Sequence, residues 1–195
     1  HSKIEKPDGG TQDSWHSYTC AHCGRDVSGA VVALYREHPT GQPAIKWLQC
    51  TNCGNGSVYT AQGIVHPPAP FGPTIEGLPD IVKEAYEEAR LCMSVNAFTS
   101  SELLCRTILM YVAVDKGAKE LPRFVDYVDY LKDKSYVTPS MVGWADLIRQ
   151  HGGKAAHSLE RPDPERAKTT VMFTAELLRL VYEMPHKAEK YTTNP

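Results

Sequence analysis

The chain has 195 residues, 42% of them hydrophobic and 23% charged, and a formal net charge of −2 at pH 7. The length suits one medium domain or two small ones, and the nearly balanced charge is unlike that of a protein whose main task is non-specific duplex binding. No hydrophobic run approaches the length that crosses a bilayer, which favours a soluble, cytoplasmic protein with no membrane partner.

Two cysteine pairs of the same form stand in the first third of the chain, at Cys20 and Cys23 and at Cys50 and Cys53, and each pair is followed directly by glycine. A C-x-x-C turn ending in glycine forms a tight hook whose two sulfurs face one point. Two such hooks supply the four soft ligands of a tetrahedral zinc ion. We therefore predict a structural zinc site made by these four cysteines.

Other interpretations of the cysteine pairs explain less. Two local disulfides need an oxidising compartment, and a redox C-x-x-C motif accounts for only one of the pairs. The remaining cysteines, Cys92 and Cys105, lie within helical patterns, where we expect them to be small core residues. Reduced thiols of this kind suit a cytoplasmic protein.

Short segments around the cysteine pairs predict three β-strands. They are rich in β-branched or aromatic residues, are bounded by glycine and proline, and comprise residues 30–35, 44–48 and 57–60. Together with the cysteine pairs, these strands predict a zinc ribbon over residues 1–66.

Three aromatic side chains of the predicted ribbon, Tyr35, Trp47 and Tyr59, have two interpretations. They can stack on nucleic-acid bases, but such residues more often form the small core of a ribbon. His22 lies between two cysteines, yet four cysteines already complete the site without it. Residues 1–66 hold five basic and five acidic side chains. Contact with a protein, or with one small feature of a nucleic acid, therefore suits the ribbon better than strong electrostatic binding.

Four prolines within residues 66–73 mark a domain boundary, because proline is excluded from helix interiors and inner strands. We predict a stiff linker over residues 67–77. The periodicity beyond it is helical and predicts a helical domain over residues 78–186, followed by a C-terminal tail over 187–195. The predicted fold class is therefore α+β, a small β zinc ribbon followed by an all-α bundle of about five helices.

Local signals predict where the helices begin and end. The first helix has an apolar stripe from Ile81 to Ala89 with Arg90 on its polar side, and residues 99–102 predict a capping box that opens the second. A cap residue before proline, at Thr138 and again at Asp163, predicts two further N-termini, and Pro185 predicts the end of the last helix.

The segment from Arg149 to His157 contains two adjacent glycines, Gly152 and Gly153, inside a helical pattern. Each glycine costs about 1 kcal/mol relative to alanine in a helix. We therefore expect a compensating feature there, such as close backbone packing, a kink or space for a ligand. Arg149 is either a phosphate ligand or the partner of an acid such as Glu102, and His157 is either a general acid–base or a structural histidine.

Three motifs in the helical part carry a resemblance to a known family. They are residues 87–89 (Glu-Glu-Ala), residues 102–106, which begin with Glu102 and end with Arg106, and residues 149–157. The region from Leu78 to Pro185 resembles the DUF4145 family of bacterial helical domains, whose members often carry an N-terminal cysteine-rich ribbon. Glu102 and Arg106 stand one helical turn apart, so apart from the resemblance we interpret them as an i,i+4 surface pair or as an interhelical pair rather than as catalysts.

The resemblance implies a relation to the HEPN superfamily of helical bundles. Many of those proteins are dimeric, metal-independent endoribonucleases of toxin–antitoxin and phage-defence systems, and their catalytic pattern places a histidine about five residues after an arginine. In this chain Gly152 stands five residues before His157, and Arg149 stands eight before it. On a continuous helix that spacing separates the two by about 80° and ~12 Å along the axis, so one phosphate can meet both only if the chain bends or a second subunit completes the site.

Three functional hypotheses follow. The leading one is a zinc-binding, HEPN-like binding and assembly module that is associated with nucleic-acid processing or phage defence and has no chemistry of its own. The second is a metal-independent endoribonuclease whose catalytic residues are Arg149 and His157. The third is a regulatory subunit that docks onto a nuclease or helicase. We expect a homodimer, with RNA or a nuclease or helicase protein as its partner.

Overall fold

The computed structural model describes residues 4–7, 14–38, 41–155 and 162–193. It divides the chain into two compact units, His1–Pro70 and Phe71–Pro195. The first unit is a β-sheet and the second is helical, which confirms the predicted α+β class and the order of its parts. The division falls inside the proline-rich segment.

The first unit is a six-stranded antiparallel sheet in the order β1-β3-β4-β5-β6, with β2 paired to β3 as well. All three predicted strands are present, and the sequence analysis missed the other three. The strands are β1 (Ile4–Glu5), β2 (Trp15–Thr19), β3 (Asp26–Tyr35), β4 (Ile45–Gln49), β5 (Gly56–Thr60) and β6 (Val65–His66).

One face of this sheet carries a small apolar core. Its buried members come from three adjacent strands and the two cysteine turns: Tyr18, Cys20, Val31, Leu34, Leu48 and Cys50. Strand residues alternate between faces, but Val31 and Leu34 are three residues apart and both are buried. A register shift between Val31 and Ala33 explains this, because a bulge adds one residue to the strand and returns the next side chains to the same face.

The helical unit has α1 (Asp80–Ser94), α2 (Phe98–Asp115), α3 (Phe124–Asp133), α4 (Val142–Ala155), α5 (Pro164–Leu178) and α6 (Met184–Thr193). A 3-10 turn, Pro139–Met141, precedes α4, and a π-turn, Arg179–Glu183, joins α5 to α6 without a break. The described part of the chain therefore holds five helical rods, as predicted.

Helix α2 is the centre of the helical unit, since it packs against α1, α3 and α5. The largest fully buried side chains include Tyr86 on α1, Ile108 and Leu109 on α2, and Phe173 and Leu177 on α5. Burying one such side chain stabilises a fold by about 1.5–3 kcal/mol. Within the described ranges, no helix combines the length and apolar character that a membrane crossing needs.

Pro185 does not end the last helix, and that prediction is wrong. The helix continues to Thr193, so residues 187–193, assigned to a tail from the sequence, are helical. Proline cannot donate the usual backbone hydrogen bond. The π-turn directly before it shifts the ladder by one residue, as the Met184 N–H donates to the carbonyl of Arg179, and the proline is accommodated where the pattern is already interrupted.

Two other sequence predictions about helices are also wrong. Ile81 is 60% exposed, whereas Arg90, predicted on the polar side of α1, is 6% exposed. The predicted capping box at residues 99–102 does not form, because α2 begins at Phe98 with Ala97 in the cap position. The cap at Asp163 is confirmed, since its carboxylate accepts a hydrogen bond from the Arg166 N–H.

Candidate metal centre

The two cysteine pairs form two turns of the same geometry, which we call the knuckles. The first joins β2 to β3 and the second joins β4 to β5. In each knuckle the first cysteine binds across the turn: the Cys20 N–H donates to the Arg25 carbonyl and the Cys50 N–H to the Asn55 carbonyl, both at 2.9 Å. The glycine that follows each pair has a positive φ, +67° at position 24 and +75° at position 54, which glycine adopts without strain.

Pairing of β3 with β4 brings the two knuckles to the same end of the sheet, because Ala30 near the start of β3 lies opposite Gln49 at the end of β4. The sulfurs of Cys20 and Cys53 are 3.8 Å apart, as are those of Cys23 and Cys50. All four sulfurs lie within 4.8 Å of one another. The predicted convergence of the four cysteines is therefore present.

These distances fit a tetrahedral metal ion. Bonds of about 2.3 Å from zinc to four thiolates place neighbouring sulfurs about 3.8 Å apart, and the nearest sulfurs match that separation. Both sulfur pairs at 3.8 Å join one knuckle to the other, and all four cysteines are free of disulfides. The arrangement therefore favours one metal ion bound by both knuckles over a local disulfide within either one.

The knuckles supply donors that stabilise thiolates. Burial raises the pKa of the Cys20 thiol, whereas the backbone N–H groups of Cys53 and Asn52 lower the pKa of Cys50. The backbone N–H of Arg25 lowers the pKa of Cys23 in the same way. Amides that point at sulfur favour the charged form, which is the form that binds a metal ion.

The polar side chains around the knuckles make hydrogen bonds of their own, so the candidate metal ligands are the four cysteine sulfurs. Arg25 donates to the Asn52 side chain at 2.9 Å and so joins the first knuckle to the second. The Asn55 amide lies 3.5 Å from the sulfur of Cys53. His22 is not a ligand, because its Nε2 lies 3.2 Å from the carbonyl of Gly56.

Of the predicted catalytic pair, Arg149 and His157, the described residues include only Arg149. Arg149 lies on α4 and pairs with Asp129 of α3 at 3.2 Å, not with Glu102. Both side chains are more than 40% exposed, so this pair contributes little stability and a stronger anion can displace it. His157 lies outside the described residues. The backbone of α4 is helical through Gly152 and Gly153.

Glu102 and Arg106 were predicted to form a surface pair or an interhelical pair, and Glu102 forms an interhelical one with Arg166 of α5. Glu102 is 3% exposed and binds Arg166 of α5 at 2.5 Å. Arg106 lies over the ring of Phe124, with 4.8 Å from its guanidinium carbon to the ring centroid. Burial lowers the pKa of Arg106, although Glu102 acts in the opposite direction. The pair between α2 and α5 joins positions 64 residues apart, which no local sequence pattern indicates.

The sequence analysis also missed the role of Arg90. It donates to the carbonyls of Phe71 and Gly72 at 3.0 and 2.8 Å and pairs with Glu87 at 2.7 Å. The adjacent Tyr86 donates to the carbonyl of Pro73 at 2.9 Å. These bonds fasten residues 71–73 to α1 and explain why a charged side chain is buried there.

A β-sheet with two cysteine knuckles, followed by a helical unit, defines a two-part α+β protein with a candidate metal centre. The model of a family described as a domain of unknown function, DUF4145, matches residues 87–194, more than half of the chain. The chain therefore belongs to the DUF4145 family, as its motifs predicted. No curated protein and no solved structure matches the chain.

Proposed function

We propose that the four cysteines hold a structural zinc ion and that the ribbon binds single-stranded nucleic acid, while the helical unit serves assembly and has no chemistry of its own. The zinc assignment is supported by the all-sulfur ligand set and by sulfur separations of 3.8 Å. Four protein ligands complete a tetrahedral site and leave no open position for a substrate. This favours a structural role over a catalytic one.

The proposal of nucleic-acid binding rests on the aromatic residues on the face of the sheet opposite its core. Tyr35 and Trp47 each directly neighbour a core residue along the strand, and Trp15 is three residues from the core residue Tyr18, so alternation places all three on this outer face. Trp15 is 54% exposed, and none of the three belongs to the buried core. The expectation that aromatic residues form the ribbon core is therefore wrong for Tyr35 and Trp47.

The three aromatic residues lie on adjacent strands, β2, β3 and β4. Trp15 lies opposite Ala30, which lies opposite Gln49, two residues after Trp47. With neighbouring strands about 4.8 Å apart and about 3.4 Å per residue along a strand, the backbones of Trp15 and Trp47 are about 12 Å apart. Trp15 is exposed, and Tyr35 and Trp47 are half-buried. Accessible aromatic rings distributed over a sheet are a stacking surface for unpaired bases, and stacking contributes about 1–3 kcal/mol per base. A duplex offers no free base faces, so single strands are the class that this face fits.

The charge of the ribbon supports stacking as the main source of affinity. Residues 1–66 carry equal numbers of basic and acidic side chains. A surface that neutralises few phosphates releases few counterions. We therefore expect the affinity to depend only weakly on salt, in contrast to a basic groove that follows the phosphate backbone.

Fluorescence anisotropy of labelled single-stranded RNA and DNA oligonucleotides tests the proposal. The zinc-loaded protein should bind, and Trp15→Ala or Trp47→Ala should each weaken binding about tenfold, within the range for one lost stacking contact. Tyr191→Ala is the matched control, since Tyr191 is a 74% exposed aromatic residue of the helical unit, and it should bind like the wild type. Unchanged affinity in both tryptophan variants, or tighter binding to duplex than to single strands, would contradict the proposal.

Ribonuclease activity has less support. The structure places Arg149 in an ion pair with Asp129, and the position five residues before His157 is a glycine. A phosphate-binding arginine and a proton-transferring histidine must reach one scissile group. The backbone of α4 is helical from Val142 to Ala155, so the wide separation that a continuous helix gives Arg149 and its following residues applies over that stretch.

A further inference from the structure

The inner face of the ribbon opens into a cleft at the end of the sheet away from the knuckles. The cleft has a volume of about 480 Å³ and is lined by residues of β2, β4 and β5 and of the chain between β3 and β4. His16 lies two residues before the core residue Tyr18, and Lys46 two before the core residue Leu48. The cleft therefore continues the face that holds the core and is separate from the outer aromatic face.

The floor of the cleft combines two aromatic rings with a cation. The rings of His16 and Tyr59 lie 4.0 Å apart between centroids at an angle of 47°. Burial lowers the pKa of His16, and the positive charge of Lys46 lowers it further. Both effects favour the neutral imidazole, whose ring adds to the aromatic surface of the cleft. Lys46 lies opposite Tyr59 in the pairing of β4 with β5, and both residues line the cleft together with His16.

Backbone hydrogen bonds hold the wall of the cleft in place. The Ala44 N–H donates to the Tyr35 carbonyl at 2.8 Å, and the Gly41 N–H donates to the His38 carbonyl at 2.9 Å. The guanidinium of Arg36 donates to the carbonyl of Gly41. These bonds connect residues 35–38 to residues 41–44, and a wall supported by the protein's own hydrogen bonds loses less entropy on binding.

The chemistry of the lining does not fit a metal ion. His16, Glu37 and His38 all line the cleft, but the one group of metal-ligating side chains that converges in the described part of the chain is the four cysteines. What the cleft offers is a ring surface and the cation of Lys46, with the carboxylate of Glu37 and the imidazole of His38 exposed at the rim. A planar ring bearing an anionic group complements such a lining.

We infer that this cleft binds one nucleotide, with the base against the His16 and Tyr59 rings and the phosphate near Lys46. A volume of about 480 Å³ falls within the range of small-molecule sites. The nucleotide is either a free nucleoside monophosphate or the phosphorylated end of a strand, since both present the same chemistry. The inference is independent of the outer face and goes beyond the proposed function.

Isothermal titration calorimetry of the full chain with AMP and with UMP tests the cleft. We expect binding of both, weakened about tenfold by His16→Ala and by Tyr59→Leu, because each removes one ring. Tyr59→Phe keeps the ring and should retain the affinity. Lys46→Glu should weaken binding at least as much as loss of a ring. Lys6→Glu makes the same charge change at an exposed ribbon residue outside the cleft lining and should bind like the wild type.

The outcomes separate the cleft from the outer face. Wild-type protein that binds neither mononucleotide at millimolar concentration would overturn the inference that the cleft binds a nucleotide. Binding of inorganic phosphate as tightly as AMP would also overturn it. If oligonucleotide binding depends on Trp15 and Trp47 but no mononucleotide binds, nucleotide binding by the cleft is refuted and the proposed function remains supported. A 5′-phosphorylated oligonucleotide that binds more tightly than its unphosphorylated copy, with the gain lost in Lys46→Glu, would identify a strand end as the natural ligand. Metal content and circular dichroism of each variant verify its folding.

Discussion

We predict that removing either member of the buried ion pair between Glu102 of α2 and Arg166 of α5 strongly destabilises the helical unit, whereas replacing both members destabilises it much less. The two side chains are 4% and 14% exposed, and the atoms Oε1 and Nη2 are 2.5 Å apart. Glu102→Leu leaves a buried guanidinium without this carboxylate, and Arg166→Met leaves a buried carboxylate without this cation. Removing one partner of a buried pair costs about 3–5 kcal/mol. For a unit of this size that corresponds to a fall in Tm of about 10–20 °C.

The double variant Glu102→Leu/Arg166→Met should recover much of the loss, because well-packed apolar side chains replace a buried ion pair at little cost. The assay is urea unfolding followed by far-UV circular dichroism, analysed as a double-mutant cycle. Lys168→Met is the control, since Lys168 pairs with Glu165 on the same helix at 45% and 81% exposure and should cost less than about 1 kcal/mol. Single variants within about 1 kcal/mol of the wild type, or a double variant whose loss equals the sum of the two, would refute this reasoning.

Three further predictions concern pH, assembly and chemistry. Burial acts to raise the pKa of Glu183, but the Glu76 N–H, Lys187 and Arg179 outweigh it and hold this pKa below its ordinary value of 4.5. The stabilisation from the Glu183 carboxylate is therefore present above pH 4.5 and is lost as the pH falls through the lowered pKa. Glu183→Gln should flatten the acid limb of a curve of unfolding free energy against pH, and an unchanged limb would contradict this. Light scattering should give about twice the chain mass of 21.6 kDa, because small residues near Gly152 and Gly153 let two helices approach; a monomer at all concentrations would exclude this assembly. Wild-type protein should not cleave generic single-stranded RNA above the level of the His157→Ala control, and an EDTA-resistant activity lost in that variant would favour the ribonuclease hypothesis.

Local signals allowed the ribbon and several helix boundaries to be predicted from the sequence. The spacing of each cysteine pair and the glycine after it specify a knuckle within five residues, and the structure brings the two knuckles together. The cap at Asp163 is equally local, since its carboxylate binds the N–H three residues later. Features of this kind depend on adjacent residues, so one sequence contains them in full.

Features that depend on distant residues could not be predicted. Helical periodicity predicted Arg90 on the polar face because its side chain is charged. In the structure Arg90 is buried and donates to the carbonyls of Phe71 and Gly72. Glu102 fits a capping box by sequence alone, but its partner is Arg166. The cleft on the ribbon arises from the pairing of β4 with β5 and the curl of the sheet, which bring Lys46 opposite Tyr59. Neither hydrophobic period nor propensity encodes such contacts.

Oligonucleotide binding by the wild type and by Cys20→Ser, measured together with metal content, tests the central claim most directly. Protein purified without added zinc should contain one zinc per chain and bind single-stranded oligonucleotide. Cys20→Ser should lose the metal and the binding while keeping the helical circular dichroism signal, because the knuckles hold the ribbon and the helical unit has its own core. A folded metal-free wild type, a disulfide between Cys20 and Cys23, or wild-type affinity in the serine variant would contradict the account.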